Sequence, residues 1–227
     1  MTAAAQKQAA GQAAALLIEP GMTVGLGSGT TAEAFVRALA RRKLSVRAVA
    51  TSEATATLAA GLGFGLADLD AAGPIDLTVD GADEIGPGLA LIKGGGAALL
   101  REKLVWEASV RRVVIAEAAK LPGVFGRFPL PIEVVAFGHT TTAARIDATL
   151  AGLGLAARVR LRLRDGQPVR TDGGNLIYDA PCGEIPDPAG LAGALKLLTG
   201  VVEHGLFLNL AERALIGTDD GVITLLP

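Results

Sequence analysis

The segment Met22-Thr23-Val24-Gly25-Leu26-Gly27-Ser28-Gly29-Thr30-Thr31 decides the fold. MTVGLG (22–27) is a compact apolar run that reads as a strand, and its glycines give the chain a tight exit. From Thr30 the pattern takes a helical period: TTAEAFVRALARRK places Ala34, Phe35, Ala38 and Leu39 on one face. A strand handing over to a helix through a Gly-rich turn is the opening of a parallel α/β unit.

Working outward, the same rhythm repeats. SVRAVAT (45–51) reads as a second strand and SEATATLAAGLG as a helix with Ser52 at its N-cap. FGLADL is a third short strand and IDLTVD (75–80) a fourth; GGGAALLREKLVWEAS follows as a helix and RRVVIAE as a fifth strand. This alternation predicts a Rossmann-like domain, a mainly parallel sheet with helices on both faces. Near Phe125 the grammar changes. FGRFPLPIEVVAF carries Pro129 and Pro131, which suit a sheet edge or a domain crossing. A helix (140–153), a strand (157–163), a turn at Asp165-Gly166, a second strand pair holding TDGGN, a helix (187–198) and a strand (201–207) follow. That β-α-β-β-α-β order predicts a smaller ferredoxin-like α+β domain. The expected division is 1–127 with 208–227 for the first domain and 128–207 for the second, the tail returning to the first sheet.

Composition narrows the function. The 227 residues hold 21 basic and 23 acidic side chains, a formal charge of −2. Half the chain is hydrophobic and the mean hydropathy is +0.44, enough for a sizeable core and against disorder. A near-neutral balance argues against a nucleic-acid or anionic-membrane partner. The single cysteine, Cys182, cannot form an internal disulfide. The N-terminal MTAAAQKQAAGQAAALLIEP reads as an Ala-rich helix and not as a signal peptide. The longest uncharged run, 54–67, is 14 residues with three glycines, short of the ~20 apolar residues that a membrane helix needs. The expectation is a cytoplasmic protein.

Three segments carry chemistry, each where a parallel strand hands over to a helix and ligands of such sheets bind. In the first, Gly25 to Thr31, glycines permit the turn, the helix offers N–H groups and a positive dipole end, and Ser28, Thr30 and Thr31 add hydroxyls suited to phosphate. There is no Gly-Lys-Ser/Thr, and a dinucleotide fingerprint would need glycine at Thr30 and an acid after the second strand. Such a loop can also serve only to pack a helix on a sheet. The second segment, Asp80-Gly81-Ala82-Asp83-Glu84, puts two carboxylates at a crevice mouth, suited to moving protons and binding sugar hydroxyls, or simply makes a solvated turn. The third, Lys93-Gly94-Gly95-Gly96 leading to Glu102, opens a helix with glycines that let a ligand approach the backbone. It places Glu102 one and a half turns in, either as a poised base near Lys93 or as a surface residue pairing with Arg101 or Lys103.

Together these segments resemble the type A ribose-5-phosphate isomerases. The resemblance rests on GLGSGTT, TSEAT, VDGADEI, LIKGGGAALLREK, KLPGVFGRFPLPIEV, TDGGNLIYD and VEHGLF…ALIGTDDGV, in family order over nearly the whole chain. It implies interconversion of ribose 5-phosphate and ribulose 5-phosphate in the pentose phosphate pathway, without a cofactor, by a homodimer or homotetramer. It also implies Glu102 as catalytic base, with Asp80, Asp83 and Lys93 as the other catalytic groups. Substrate would be held by Ser28, Gly29, Thr30, Thr31, Gly81, Ala82, Gly94, Gly95, Gly96 and Lys120. Two departures stand out. The loop reads Ser-Gly-Thr-Thr where the family usually has Thr-Gly-Ser-Thr, and Glu117-Ala118-Ala119 precedes Lys120 where the family favours Asp-x-Ser.

The remaining conspicuous residues read as structural. His139 and His204 lie in no metal-ligand spacing, Cys182 has no catalytic partner nearby in sequence, and Trp106 reads as core. Arg158, Arg160, Arg162 and Arg164 recur with period two. No aromatics interleave with them, so they read as the solvated face of a strand whose Val159, Leu161 and Leu163 point inward. A non-catalytic sugar-phosphate sensor on the same fold is the alternative function; it could dispense with the base, whereas this chain keeps both aspartates, Lys93 and Glu102. Because Lys93 can fill the electrophile's place, dialysis against a chelator is expected to leave the isomerisation rate unchanged. A rate that collapses and returns with magnesium or zinc would refute this.

Overall fold

The computed structural model describes residues 1–227. In chain order the elements begin with α1 (Ala3–Ala15), β1 (Thr23–Leu26), α2 (Gly29–Arg41), β2 (Arg47–Ala50), α3 (Glu53–Gly61), β3 (Gly65–Leu66), α4 (Leu69–Ala72) and β4 (Ile75–Gly81). Next come β5 (Glu84–Ile85), β6 (Leu91–Ile92), α5 (Leu99–Glu107), β7 (Ser109–Glu117), β8 (Leu130–Val134) and α6 (His139–Gly152). The rest are β9 (Arg160–Leu161), β10 (Leu163–Arg164), β11 (Gln167–Pro168), β12 (Leu176–Ala180), α7 (Pro188–Lys196), β13 (Val201–His204), β14 (Leu206–Phe207), β15 (Arg213–Thr218) and β16 (Gly221–Leu225). They form two compact units: Met1–Ala82 with Arg101–Leu121 and Asn209–Pro227, and Asp83–Leu100 with Pro122–Leu208.

The first unit is a seven-stranded sheet in the order β16-β15-β7-β4-β1-β2-β3. Every neighbouring pair is parallel except β15 with β16. Leaving out the antiparallel edge strand, this is the doubly wound order, and the direction of winding reverses between β1 and β4. Apolar runs form the middle strands because both their faces are covered: Ile75, Leu77 and Val79 of β4 and Val113, Val114 and Ile115 of β7 are wholly buried. On α2, Phe35, Ala38 and Leu39 join that core as the helical period predicts, Val36 joins them, and Ala34 is only half-buried. The small residues of α1 set how closely it approaches its neighbours. A Cβ on Gly11 would lie 2.7 Å from the backbone nitrogen of Phe35, so α1 and α2 cross almost backbone to backbone.

The second unit contains a four-stranded antiparallel sheet in the order β13-β8-β12-β9, with α6 and α7 in the two connections. This is the ferredoxin-like arrangement expected from the element order. Pro131 lies in an interior strand, β8, and not at an edge. Its carbonyl accepts the Gly205 N–H at 2.8 Å, so the missing N–H faces a point where β13 has already ended. The expected single strand over 201–207 breaks at Gly205, and Leu206–Phe207 pairs instead with β6 in a separate sheet, β14-β6-β5. That pairing ties Asp83–Leu100 to the second unit. Buried Glu133 of β8 explains TDGGN, since its Oε1 accepts Thr171 Oγ1 and Asn175 Nδ2, each at 2.9 Å.

The Gly11 crossing gives a test in which two effects have opposite signs. Helix propensity alone favours alanine over glycine by ~0.8–1.0 kcal/mol. The clash with rigid backbone outweighs it, so Gly11→Ala is expected to destabilise the protein by ~1–3 kcal/mol, read from a urea midpoint. A raised midpoint would show that the two helices separate at no cost.

Candidate active site

The carboxyl ends of β1 and β4 flank the reversal in the sheet, and Ser28, Asp80 and Gly81 meet there. Asp80, at the end of β4, has no exposed surface. Its Oδ1 accepts the Ser28 N–H at 3.0 Å and the Gly81 N–H at 2.7 Å. This crossing of the reversal is possible because residue 27 is glycine: a Cβ there would come within 2.1 Å of the same carboxylate oxygen. Gly29 follows at φ +86°, a left-handed conformation that starts α2 and suits glycine.

Ser28 occupies the N-cap of α2, yet its hydroxyl does not cap the helix. It lies 2.7 Å from Thr51 Oγ1, donates to Ser52 Oγ at 2.8 Å, and lies 3.3 Å from Thr55 Oγ1. Thr55 in turn donates to the Gly27 carbonyl at 3.0 Å, while Ser52 caps α3 as expected. The hydroxyl cluster thus braces the loop from behind and leaves the first turn of α2, with its N–H groups and dipole, as the anion-facing end. Lys7 of α1 donates to Thr30 Oγ1 at 2.9 Å and lies 3.7 Å from buried Glu117 at the end of β7. The sequence does not single out Lys7, and it marks Ser52 only as a cap and gives Thr51 and Thr55 no individual role. TSEAT signals the last three by its strand end and cap, whereas Lys7 becomes visible only once α1 is seen to pack on α2.

Glu102 belongs to the same unit and is 5% exposed. The expectation that it stands one and a half turns into its helix is corrected: α5 begins at Leu99, so Glu102 lies in the first turn. A carboxylate there is favoured by the helix dipole. Lys120 closes a 3-10 turn after β7 and is half-buried.

In the second unit, Lys93 is 2% exposed, its N–H bonded to the Gly205 carbonyl at 2.8 Å and its ammonium 5.5 Å from the centre of the Phe207 ring. The glycines after it form a turn and not the start of a helix, because Ala97 takes φ +62°. The Gly95 N–H donates to Asp83 Oδ2 at 2.7 Å, and a Cβ on Gly95 would meet that carboxylate at 2.6 Å. Asp83 is held by its own N–H on the Ile92 carbonyl at 2.8 Å. Ser28, Asp80 and Gly81 are therefore brought together in one unit, and Asp83 and Gly95 in the other.

The arginine stripe is only partly a solvated face. Arg158, Arg160 and Arg164 are exposed, but Arg162 is turned onto Asp179 and the glycine turn, and Leu163 is 55% exposed where it was expected inside. The strand breaks at Arg162, so the period of two does not carry through. His139 Nδ1 lies 2.7 Å from the Tyr178 hydroxyl, Trp106 is fully buried, and burial pushes the Cys182 thiol up to about 11. At neutral pH that thiol is not a nucleophile.

A family model described as ribose 5-phosphate isomerase A (phosphoriboisomerase A) matches residues 47–221. The chain is 63% identical over all of its length to ribose-5-phosphate isomerase A of Caulobacter sp. strain K31, whose own length is covered in full. The chain belongs to the ribose-5-phosphate isomerase A family. Among solved structures, ribose 5-phosphate isomerase from Plasmodium falciparum superposes with TM-score 0.92 at 35% identity, covering 99% of both chains. A D-ribose-5-phosphate isomerase in complex with phospho-erythronic acid gives 0.91 at 34% identity, covering 100% of both. The DeoR C terminal sensor domain model matches residues 2–61, a stretch with the Ser28–Thr31 loop but without Asp80, Asp83, Lys93 or Glu102. The α/β class and the isomerase resemblance hold.

Gly27 offers a direct test of the first unit's geometry. Gly27→Ala is expected to displace the Asp80 carboxylate and lower kcat/KM on the order of 10², because misplacement by about 1 Å costs that much. Parent-like kinetics in a folded Gly27→Ala variant would show that the close contact is incidental.

Proposed function

We propose that this protein interconverts D-ribose 5-phosphate and D-ribulose 5-phosphate through an enediol, with Glu102 as the base and Lys93 as the electrostatic stabiliser. The carrying observation is the full-length match to ribose-5-phosphate isomerase A in a chain that keeps Asp80, Asp83, Lys93 and Glu102. The phosphate binds at the first turn of α2, among Ser28, Gly29, Thr30 and Thr31, with Lys7 and Lys120 supplying positive charge. Gly81, Ala82 and the glycines at 94–96 contact the sugar through the backbone.

Asp80 assists ring opening by taking the proton of the C1 hydroxyl as the ring oxygen is protonated, and Asp83 orients sugar hydroxyls. Glu102 then removes the proton from C2; the electron pair forms the C1–C2 double bond and charge develops on O1. A buried ammonium is worth most where charge develops, which is the work given to Lys93. As the O2 proton passes to O1, C2 becomes the carbonyl and Glu102 returns its proton to C1. The phospho-erythronic acid held by the structural relative fits this scheme, since a carboxylate shares the planar, charged character of an enediolate. No helix is long and apolar enough to cross a membrane. A cytoplasmic homodimer or homotetramer completes the proposal.

Glu102→Gln keeps the size of the side chain but cannot accept a proton. Its kcat is expected to fall ~10²–10⁴-fold with KM largely kept. Exchange of the C2 proton with deuterated solvent should fall in parallel, while Glu107→Gln, exposed on the same helix, should leave both unchanged. Exchange at the parent rate in Glu102→Gln would remove Glu102 from the mechanism.

A further inference from the structure

The Arg162 side chain is 14% exposed, and its guanidinium bonds to Asp179 and to the glycine turn. Its backbone is fixed from two sides: its N–H donates to the Ile177 carbonyl at 2.8 Å, and its carbonyl accepts the Val169 N–H at 2.9 Å. The guanidinium makes a two-point fork on Asp179 of β12, Nε donating to Oδ2 at 2.8 Å and Nη2 to Oδ1. The remaining arm, Nη1, donates to the Gly94 carbonyl at 2.7 Å and the Gly95 carbonyl at 3.0 Å. A planar fork locked by a carboxylate is a rigid donor, unlike an ammonium on a flexible stem.

From this geometry we infer that Arg162, oriented by Asp179, is a positioning residue that sets both peptide planes of the glycine turn following Lys93. In a trans peptide the C=O of one residue and the N–H of the next point in opposite directions. Gathering the Gly94 and Gly95 carbonyls onto one nitrogen therefore aims the N–H groups of Gly95 and Gly96 the other way. The Gly95 N–H reaches Asp83 at 2.7 Å on that side. The Gly94 carbonyl also accepts the Ala97 N–H at 3.0 Å, so the first plane is shared with the turn's own bond, whereas the plane between exposed Gly95 and Gly96, which glycines leave free to flip, is held by Arg162. Arg162 thus holds the turn from its carbonyl side as Asp83 does from its amide side, and keeps the Gly96 N–H on the side of Asp83, the acid proposed to orient the sugar. This rests on the isomerase reading for its catalytic consequence, but the fixing of the turn does not.

The test uses the full-length protein and two readouts. Arg162→Met is expected to lower kcat/KM on the order of 10², mostly in kcat. Low-millimolar guanidinium should restore about a tenfold part of the loss by refilling the fork. Arg162→Lys should remain impaired, because an ammonium cannot hold Asp179 at two points and reach both carbonyls; exposed Arg164→Met should stay within about twofold of the parent. Independently, amide exchange in Arg162→Met should accelerate in residues 93–98 with the rest of the chain unchanged. Parent-like kcat in Arg162→Met, or a loss that guanidinium does not relieve and that brings faster exchange throughout the chain, would overturn the inference. If the parent itself fails to isomerise ribose 5-phosphate, the functional reading falls, and the exchange data alone decide whether Arg162 fixes the turn.

Discussion

A carboxylate with no exposed surface, held by the amides of Ser28 and Gly81, joins the exits of β1 and β4. Burying a charge is tolerable only where donors surround it, and the reversal of winding provides them: two loops leave neighbouring strands in opposite directions and bare their amides between them. Other features follow. Residue 27 must lack a side chain, residue 29 turns left-handed, α2 starts where its amides face outward, and the Ser28 hydroxyl is drawn back toward Thr51, Ser52 and Thr55. The phosphate loop and the buried acid are a single construction.

Much of this was legible in the sequence because the parallel half obeys strong periodicities. Phe35 and Leu39 on one helical stripe, and IDLTVD as an apolar run ending in acids, place the strand ends without any structure. What escaped has physical causes. Two-residue strands such as β5, β6 and β14 carry no period to read. Gly205, whose Cβ would sit 2.2 Å from the Lys93 carbonyl, splits a run that looks continuous. Ala97 at positive φ delays a helix that the alanines and leucines favour from the glycines onward. Arg162 defeats the alternation rule because that rule presumes an unbroken strand.

The second unit secures several of its loops with buried carboxylates. Glu84 accepts the N–H groups of Gly126 and Phe128, Glu133 gathers Thr171 and Asn175, and Glu203 takes Lys196 and the N–H of His204. Each is at most 7% exposed. Charge-assisted bonds of this kind specify one loop geometry where apolar packing would accept several. The same economy places a cation, Lys93, under the glycine turn with an aromatic face beside it.

The order in which the first sheet is filled has a consequence for synthesis. Strand β7 is parallel-paired on its outer side only by β15, residues 213–218, and α1 packs so closely on that strand that a Cβ at Gly217 would meet the Gln6 carbonyl at 2.0 Å. During translation, therefore, α1 waits for β15, and β7 presents an unpaired edge while residues 122–208 of the second unit are produced. Unpaired edges invite association with other chains, and contacts this distant in sequence form slowly. The nascent protein is most exposed to misassembly in the interval before β15 leaves the ribosome.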